Sequence, residues 1–201
     1  VKALRARNLK IVATEHHMRT FNWYPPTDPG IREEQKKAGF DLYDPAYADF
    51  YWNEATSTKA DFIRQWERKL REVIDNYRPD VLWFDGGDFT SPDVARPVMA
   101  SLAHYYNQAA QRKVQVEVLN KFAGSMKFNF PEQFGILTFE AGRDRPNEVA
   151  KPWIDDQSIA EQGWGYMHDI KIRDPREVVI GFIDRVSRGG GLLLSLAPKA
   201  D

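Results

Sequence analysis

Asp80-Val81-Leu82-Trp83-Phe84-Asp85-Gly86-Gly87 decides how the rest of the chain is read. A short apolar run ends in a carboxylate, and two glycines follow at once. An apolar run of this length, bounded by glycine, predicts a buried parallel strand. Such a strand presents Asp85 at its carboxyl end, where α/β proteins keep their chemistry. The glycines leave room for a ligand beside the backbone. The bland reading is a strand that merely closes on a helix-capping Asp.

The flanks repeat the pattern. Upstream, Thr58 starts a helix, with Asp61 three residues on as in a capping box. Phe62, Trp66, Leu70, Val73, Ile74 and Tyr77 then recur at spacings of three and four and predict one buried stripe. Arg78-Pro79 ends that helix. Downstream, a second helix is predicted over residues 93 to 111. Strands are predicted at 114–119, 135–139 and, more weakly, 153–159. A last helix has Asp174 as its cap, Pro175 at its first position and Glu177 completing the cap. Val178, Val179, Phe182, Ile183 and Val186 should form its buried stripe, and Arg188-Gly189-Gly190 its stop. A final strand is expected at 192–196.

Near the start, residues 1 to 8 read as the end of a helix and 9 to 15 as a strand. Residues 16 to 56 form a connection rich in Pro, Gly and aromatics, and so long a connection is usually functional. Alternating strands and helices predict a parallel α/β domain. Roughly six strands fit a (β/α)₈ barrel missing its first quarter, since such a barrel needs eight strands and about 250 residues. An open doubly wound sheet is the alternative. No repeat or interdomain linker is visible, so 1–201 reads as a single domain, a partial barrel.

The chain has 201 residues, 42% hydrophobic and 28% charged, with a net charge of -1. That balance gives no electrostatic reason to expect a nucleic-acid or membrane partner. There is no cysteine, which excludes disulfides and thiol nucleophiles. The compartment stays open: periplasmic or extracellular in a bacterium if a parent chain carries a signal peptide, cytoplasmic otherwise. Aromatics are plentiful, with 6 Trp, 8 Tyr and 12 Phe, and several sit in loop-like sequence. Phe21-Asn22-Trp23-Tyr24 and Gly163-Trp164-Gly165-Tyr166 are examples. Such rings stack on the C–H faces of sugars, or else pack over a core.

Three predicted strands end in an acid: Glu15, Asp85 and Glu140. In a parallel barrel such ends converge on one face. Two carboxylates flanking a bond are the minimum apparatus of glycoside hydrolysis, about 5 Å apart in a retaining enzyme. Asp85, short and held on a stiff strand, suits the nucleophile. Glu140, longer and followed by a loop, suits proton delivery. Its alternative is a solvated acid paired with Arg143 or Arg145. His16 and His17 are consecutive, so on an extended chain they point to opposite sides and do not share a metal ion. No metal or cofactor is expected. Gly189-Gly190-Gly191 precedes a strand instead of joining strand to helix, so it is a turn and no phosphate loop.

Arg78 to Gly87 resembles the strand that carries the catalytic Asp in α-L-fucosidases of glycoside hydrolase family 29. Ala13-Thr14-Glu15-His16-His17 resembles the S-E-H strand end of a bacterial branch of that family. Gln162 to Tyr166 resembles its S-W-G-Y segment, and Val186 to Pro198 its V-S-K-G-G-N-L-L-L-N-I-G-P end. The resemblance runs from about residue 8 to 201. It implies a (β/α)₈ TIM-like barrel lacking its first two strands and the C-terminal β-sandwich. It implies a metal-free, retaining exo-hydrolase that releases terminal α-L-fucose from fucosylated oligosaccharides or glycosides. Asp85 falls on the nucleophile and Glu140 near the acid/base. Trp164 matches a ring lining the fucose pocket, and Glu15, His16, Trp23, Trp83 and Asn120 are further substrate-binding candidates. Asn120-Lys121-Phe122 stands where many members have N-D-R-W, and only the Asn is shared. A barrel open by two strands needs its edges covered, by a longer parent chain or by self-association into a homo-oligomer. A weakly catalytic carbohydrate-binding or assembly fragment is the alternative function, and a metal-dependent hydrolase using His16, His17 and Asp85 a third.

Overall fold

The computed structural model describes residues 1–85, 89, 91–121, 129–143 and 151–199. Gly86, Gly87, Phe122 and Arg145, singled out above, lie outside the described residues. The chain packs as two compact units, Val1–Glu117 and Val118–Asp201.

The first unit runs α1 (Lys2–Arg5), β1 (Val12–Glu15), α2 (Pro29–Lys37), α3 (Ala48–Tyr51), α4 (Lys59–Tyr77), β2 (Val81–Phe84) and α5 (Pro92–Gln111). β1 and β2 pair in parallel, from Val12 opposite Val81 to Glu15 opposite Phe84. The strands start together because Asp80 staples them. Its Oδ2 accepts from the Ile11 amide at 2.9 Å, and its own amide donates to the Ile11 carbonyl at 2.9 Å. β1 begins at Val12, three residues later than the apolar run predicts.

α4 begins as its cap predicts: Thr58 Oγ1 accepts from the Asp61 amide at 3.1 Å. Phe62, Trp66, Leu70 and Ile74 of the predicted stripe are buried, with Ile63 beside them. Fully burying a side chain of this size contributes about 1.5–3 kcal/mol. Leu82, Trp83 and Phe84 of β2 and Val94, Val98, Leu102 and Tyr105 of α5 complete the core of this unit. The chain leaves α4 through Arg78 in the left-handed region (φ 48°), which turns it back into β2.

β3 (Glu117–Lys121) leads into the second unit, which continues with β4 (Ile136–Glu140), β5 (Trp153–Ser158), α6 (Pro175–Ser187) and β6 (Gly190–Ser195). β3 pairs with β4, β4 with β5 and β5 with β6, all in parallel. β3 starts three residues later than predicted, because Lys113 in the left-handed region (φ 55°) first carries the chain away from α5. β6 lies close against β5 because Gly190 has no side chain. A Cβ there would stand 2.4 Å from the Trp153 ring.

One expectation fails. Asp174 caps α6 as predicted, accepting from the Arg176 amide at 2.8 Å. The apolar stripe, however, is not buried. Val179, Phe182, Ile183 and Val186 are 47–58% exposed, and Arg185 is the buried residue of the helix. The inward side of α6 is used by Arg185, which reaches the buried Asp155 of β5. A periodic apolar stripe identifies a face that needs cover, and not what covers it.

Candidate active site

In the first unit, the β1–β2 pairing carries on past the strands: the Asp85 amide donates to the Glu15 carbonyl at 3.0 Å. This sets the side chain of His16 beside that of Asp85. His16 Nε2 lies 2.8 Å from Asp85 Oδ2, with the two side chains 60% and 19% exposed. The imidazole also meets the Trp83 ring edge-on, centroids 6.2 Å apart. The hydrogen bond to Asp85 raises the His16 pKa above its usual value, against partial burial. The negative charges of Asp85 and Glu15 act the same way, and Arg19 opposes them.

Glu15 does not join this pair. Its carboxyl is buried toward α4, near the Trp66 indole and the amides of His17 and Met18, none of which closes a full hydrogen bond. Burial therefore dominates and raises its pKa. Glu15, His16, His17, Trp66, Lys69 and Leu82 help line a cavity of about 210 Å³, and neither Asp85 nor Trp83 lines it. His17 is structural: Nδ1 is 3.1 Å from Thr20 Oγ1, Nε2 is 3.4 Å from Lys69 Nζ, and the ring packs on Phe62. Burial, aided by the Lys69 charge, lowers its pKa to about 4. Adjacent histidines thus have opposite fates.

In the second unit, Glu140 ends β4 as predicted. Its Oε2 is 3.0 Å from Lys121 Nζ and its Oε1 2.7 Å from Arg143 Nη2. The ion pair with Arg143, the bland reading of Glu140, is therefore present. Lys121 is buried and also donates to Asp156 Oδ2 at 2.6 Å. Parallel register sets Glu140 opposite Asp156, so one ammonium bridges the ends of three strands. As observed, both Glu140 oxygens already accept. To hand a proton to a leaving group, Glu140 must first release Arg143, whose side chain is 68% exposed.

Sequence reading missed Lys121 and Asp156. The available signal was a lysine at the end of β3, directly after Val118, Leu119 and Asn120, because a buried ammonium has to be paired. Asn120, named as a substrate ligand, is fully buried and occupied. Its Nδ2 donates to the carbonyls of Phe130, Pro131 and Phe134, and its Oδ1 accepts from the Phe130 amide. It pins the loop before β4. Trp23 is 65% and Trp164 44% exposed. The Trp164 carbonyl accepts from Ser195 Oγ at 3.0 Å, which ties that segment to the end of β6. Among the described residues, no group of three or more His, Asp and Glu is placed to hold a metal ion, and no helix is long and apolar enough to cross a membrane.

Comparison with known proteins gives these features a context. The profile of the alpha-L-fucosidase family matches residues 1–201. The plasma alpha-L-fucosidases of Pongo abelii and Homo sapiens are each 30% identical over 136 residues, covering 66% of this chain and 28% of theirs. The chain thus spans less than a third of the curated relatives it matches. A solved alpha-L-fucosidase superposes with a TM-score of 0.66 at 22% identity, over 98% of this chain and 38% of that one. The Thermotoga maritima alpha-fucosidase in complex with fucose gives 0.60 at 23% identity with the same coverage. The fold is therefore the α/β, parallel-stranded fold of fucosidase structures.

Proposed function

Since the chain belongs to the alpha-L-fucosidase family, we propose that it carries the catalytic chemistry of a retaining exo-glycoside hydrolase that releases terminal α-L-fucose. The substrates are fucosylated oligosaccharides or glycosides. Asp85 is the nucleophile and attacks the anomeric carbon to give a covalent fucosyl ester. Glu140 protonates the departing oxygen and later takes the proton of the attacking water. Trp164 and Trp23 supply apolar surface for sugar rings, whereas Trp83, only 6% exposed in the core of the first unit, acts through His16, against which its ring rests. Glu15 acts from behind, through the turn that carries His16, and Asn120 through the loop it pins. Lys121 and Arg143 set the charge around Glu140.

The observation that carries this reading is the placement of Asp85: at a strand end, partly open, with one oxygen held by His16. The family match over the whole chain supports it. The six strands belong, on this reading, to a (β/α)₈ barrel completed by two further strands. The exposed face of α6 favours the second reading, a carbohydrate-binding or assembly fragment whose apolar face is covered by self-association.

Turnover of an aryl α-L-fucoside decides between them. Asp85→Ala should abolish turnover, and azide should restore part of it as glycosyl azide. Glu140→Ala should lose far more rate on poor leaving groups than on good ones. Fucose binding by calorimetry without any turnover supports the second reading, and a molecular weight above that of one chain supports self-association.

A further inference from the structure

Three features around His16 point to one role. The Glu15–Asp85 backbone bond fixes the two side chains next to each other. The ring rests edge-on against Trp83. Its Nε2 points at one carboxylate oxygen, Oδ2, at 2.8 Å. The nearby alternatives are committed elsewhere: His17 to Thr20 and Lys69, and Glu15 to the α4 side. A carboxylate nucleophile attacks through one oxygen, and a misplacement of about 1 Å costs on the order of 100-fold in rate.

We propose that His16 is the positioning residue of the nucleophile, holding the Asp85 carboxylate through Oδ2 in its attacking orientation. This rests on the fucosidase reading and gives His16 a role other than sugar ligand. It also couples a proton to the covalent step. As the Asp85 carboxylate bonds to the anomeric carbon, the bond from that carbon to the leaving oxygen breaks, and Glu140 gives that oxygen its proton. Asp85 is now an ester and has lost its charge, so the attraction that favours a proton on His16 is gone and a proton held there passes to solvent, to which the 60% exposed side chain has access. Water then cleaves the ester and passes a proton to Glu140, and His16 takes up a proton again beside the regenerated carboxylate. The charged groups facing His16 are Asp85 from the end of β2, Glu15 from its own strand and Arg19 from the turn that follows.

The test compares His16→Ala and His16→Gln on an aryl α-L-fucoside across pH, because Gln returns a donor near the Nε2 position without a titrating ring. His16→Ala should lower kcat by roughly 10- to 100-fold with KM little changed. His16→Gln should recover most of kcat and lose the pH dependence contributed by the imidazole. A His16→Ala variant that raises KM at unchanged kcat makes His16 a sugar ligand and overturns the proposal. A second arm needs no turnover: the imidazole of His16 is titrated by NMR in the wild-type chain and in Asp85→Asn. The midpoint should fall in the variant, and an unmoved midpoint overturns the pairing whatever the activity. A wild-type chain that turns over no fucoside defeats the fucosidase reading itself, and the role of His16 with it.

Discussion

Replacing Arg185 by Met should unfold the second unit under conditions that leave the wild type folded. Arg185 is 4% exposed and Asp155 is fully buried. Its Nε donates to Asp155 Oδ2 at 2.7 Å, and its Nη2 reaches the same oxygen. The guanidinium also donates to the Gly181 carbonyl at 2.7 Å and to Gln157 Oε1 at 2.8 Å. After Arg185→Met, Asp155 keeps the Gly142 amide at 3.0 Å but loses its buried counter-charge. Breaking a buried pair from one side costs about 3–5 kcal/mol, a large part of the roughly 5–15 kcal/mol that holds a domain together. With a urea slope of about 2 kcal/mol/M, the midpoint should fall by about 1.5–2.5 M. Urea titration followed by circular dichroism measures it. Adding Asp155→Leu removes the stranded charge and should return the midpoint toward wild type. A single variant that unfolds within about 0.3 M of wild type would show that the pair does not hold the unit together, since that is under about 1 kcal/mol.

Gly135→Ala should destabilise the second unit by at least about 1–3 kcal/mol from backbone strain alone. Gly135 sits at φ +69°, and a Cβ would lie 2.3 Å from the Val118 carbonyl oxygen, so a fall in thermal midpoint is expected. Gly190→Ala should also destabilise, because the rigid Trp153 ring has to move, and Trp153 fluorescence should report it. For His17 the sign runs with pH. Its folded value is about 4 against 6.5 as reference, so the folded chain binds the proton less readily. Its contribution is complete above 6.5 and is lost as pH falls toward 4. Urea midpoints between those pH values should drop more steeply for wild type than for His17→Leu.

What the sequence made legible is what depends on neighbours in the chain. Val81–Phe84 is a strand because four apolar residues stand between Asp80 and Asp85, and α4 and α6 start where Thr58 and Asp174 cap them. Asp85 and Glu140 fall at strand ends for the same local reason. What depends on distant neighbours was not legible. The Lys121–Asp156 bond spans 35 positions, and the Arg185–Asp155 bond 30. Asn120 is a ligand candidate in the sequence because it is the residue shared with N-D-R-W, and its actual partners, the carbonyls of Phe130, Pro131 and Phe134, are backbone atoms that no sequence pattern marks. The orientation of Glu15 toward α4 was hidden because period-two alternation assigns a face only once the neighbouring helix is placed. The α6 stripe shows the converse: the period was right, and the cover was not a property of the stripe.

In the proposed reaction Asp85 forms the ester to fucose. Trapping with a 2-deoxy-2-fluoro-fucosyl fluoride, followed by proteolysis and mass spectrometry, locates that ester directly. The expected result is a single fluorofucosyl adduct on the peptide that contains Asp85, absent from Asp85→Ala. An adduct on a different carboxylate, or fucoside turnover with no adduct on Asp85, would contradict it.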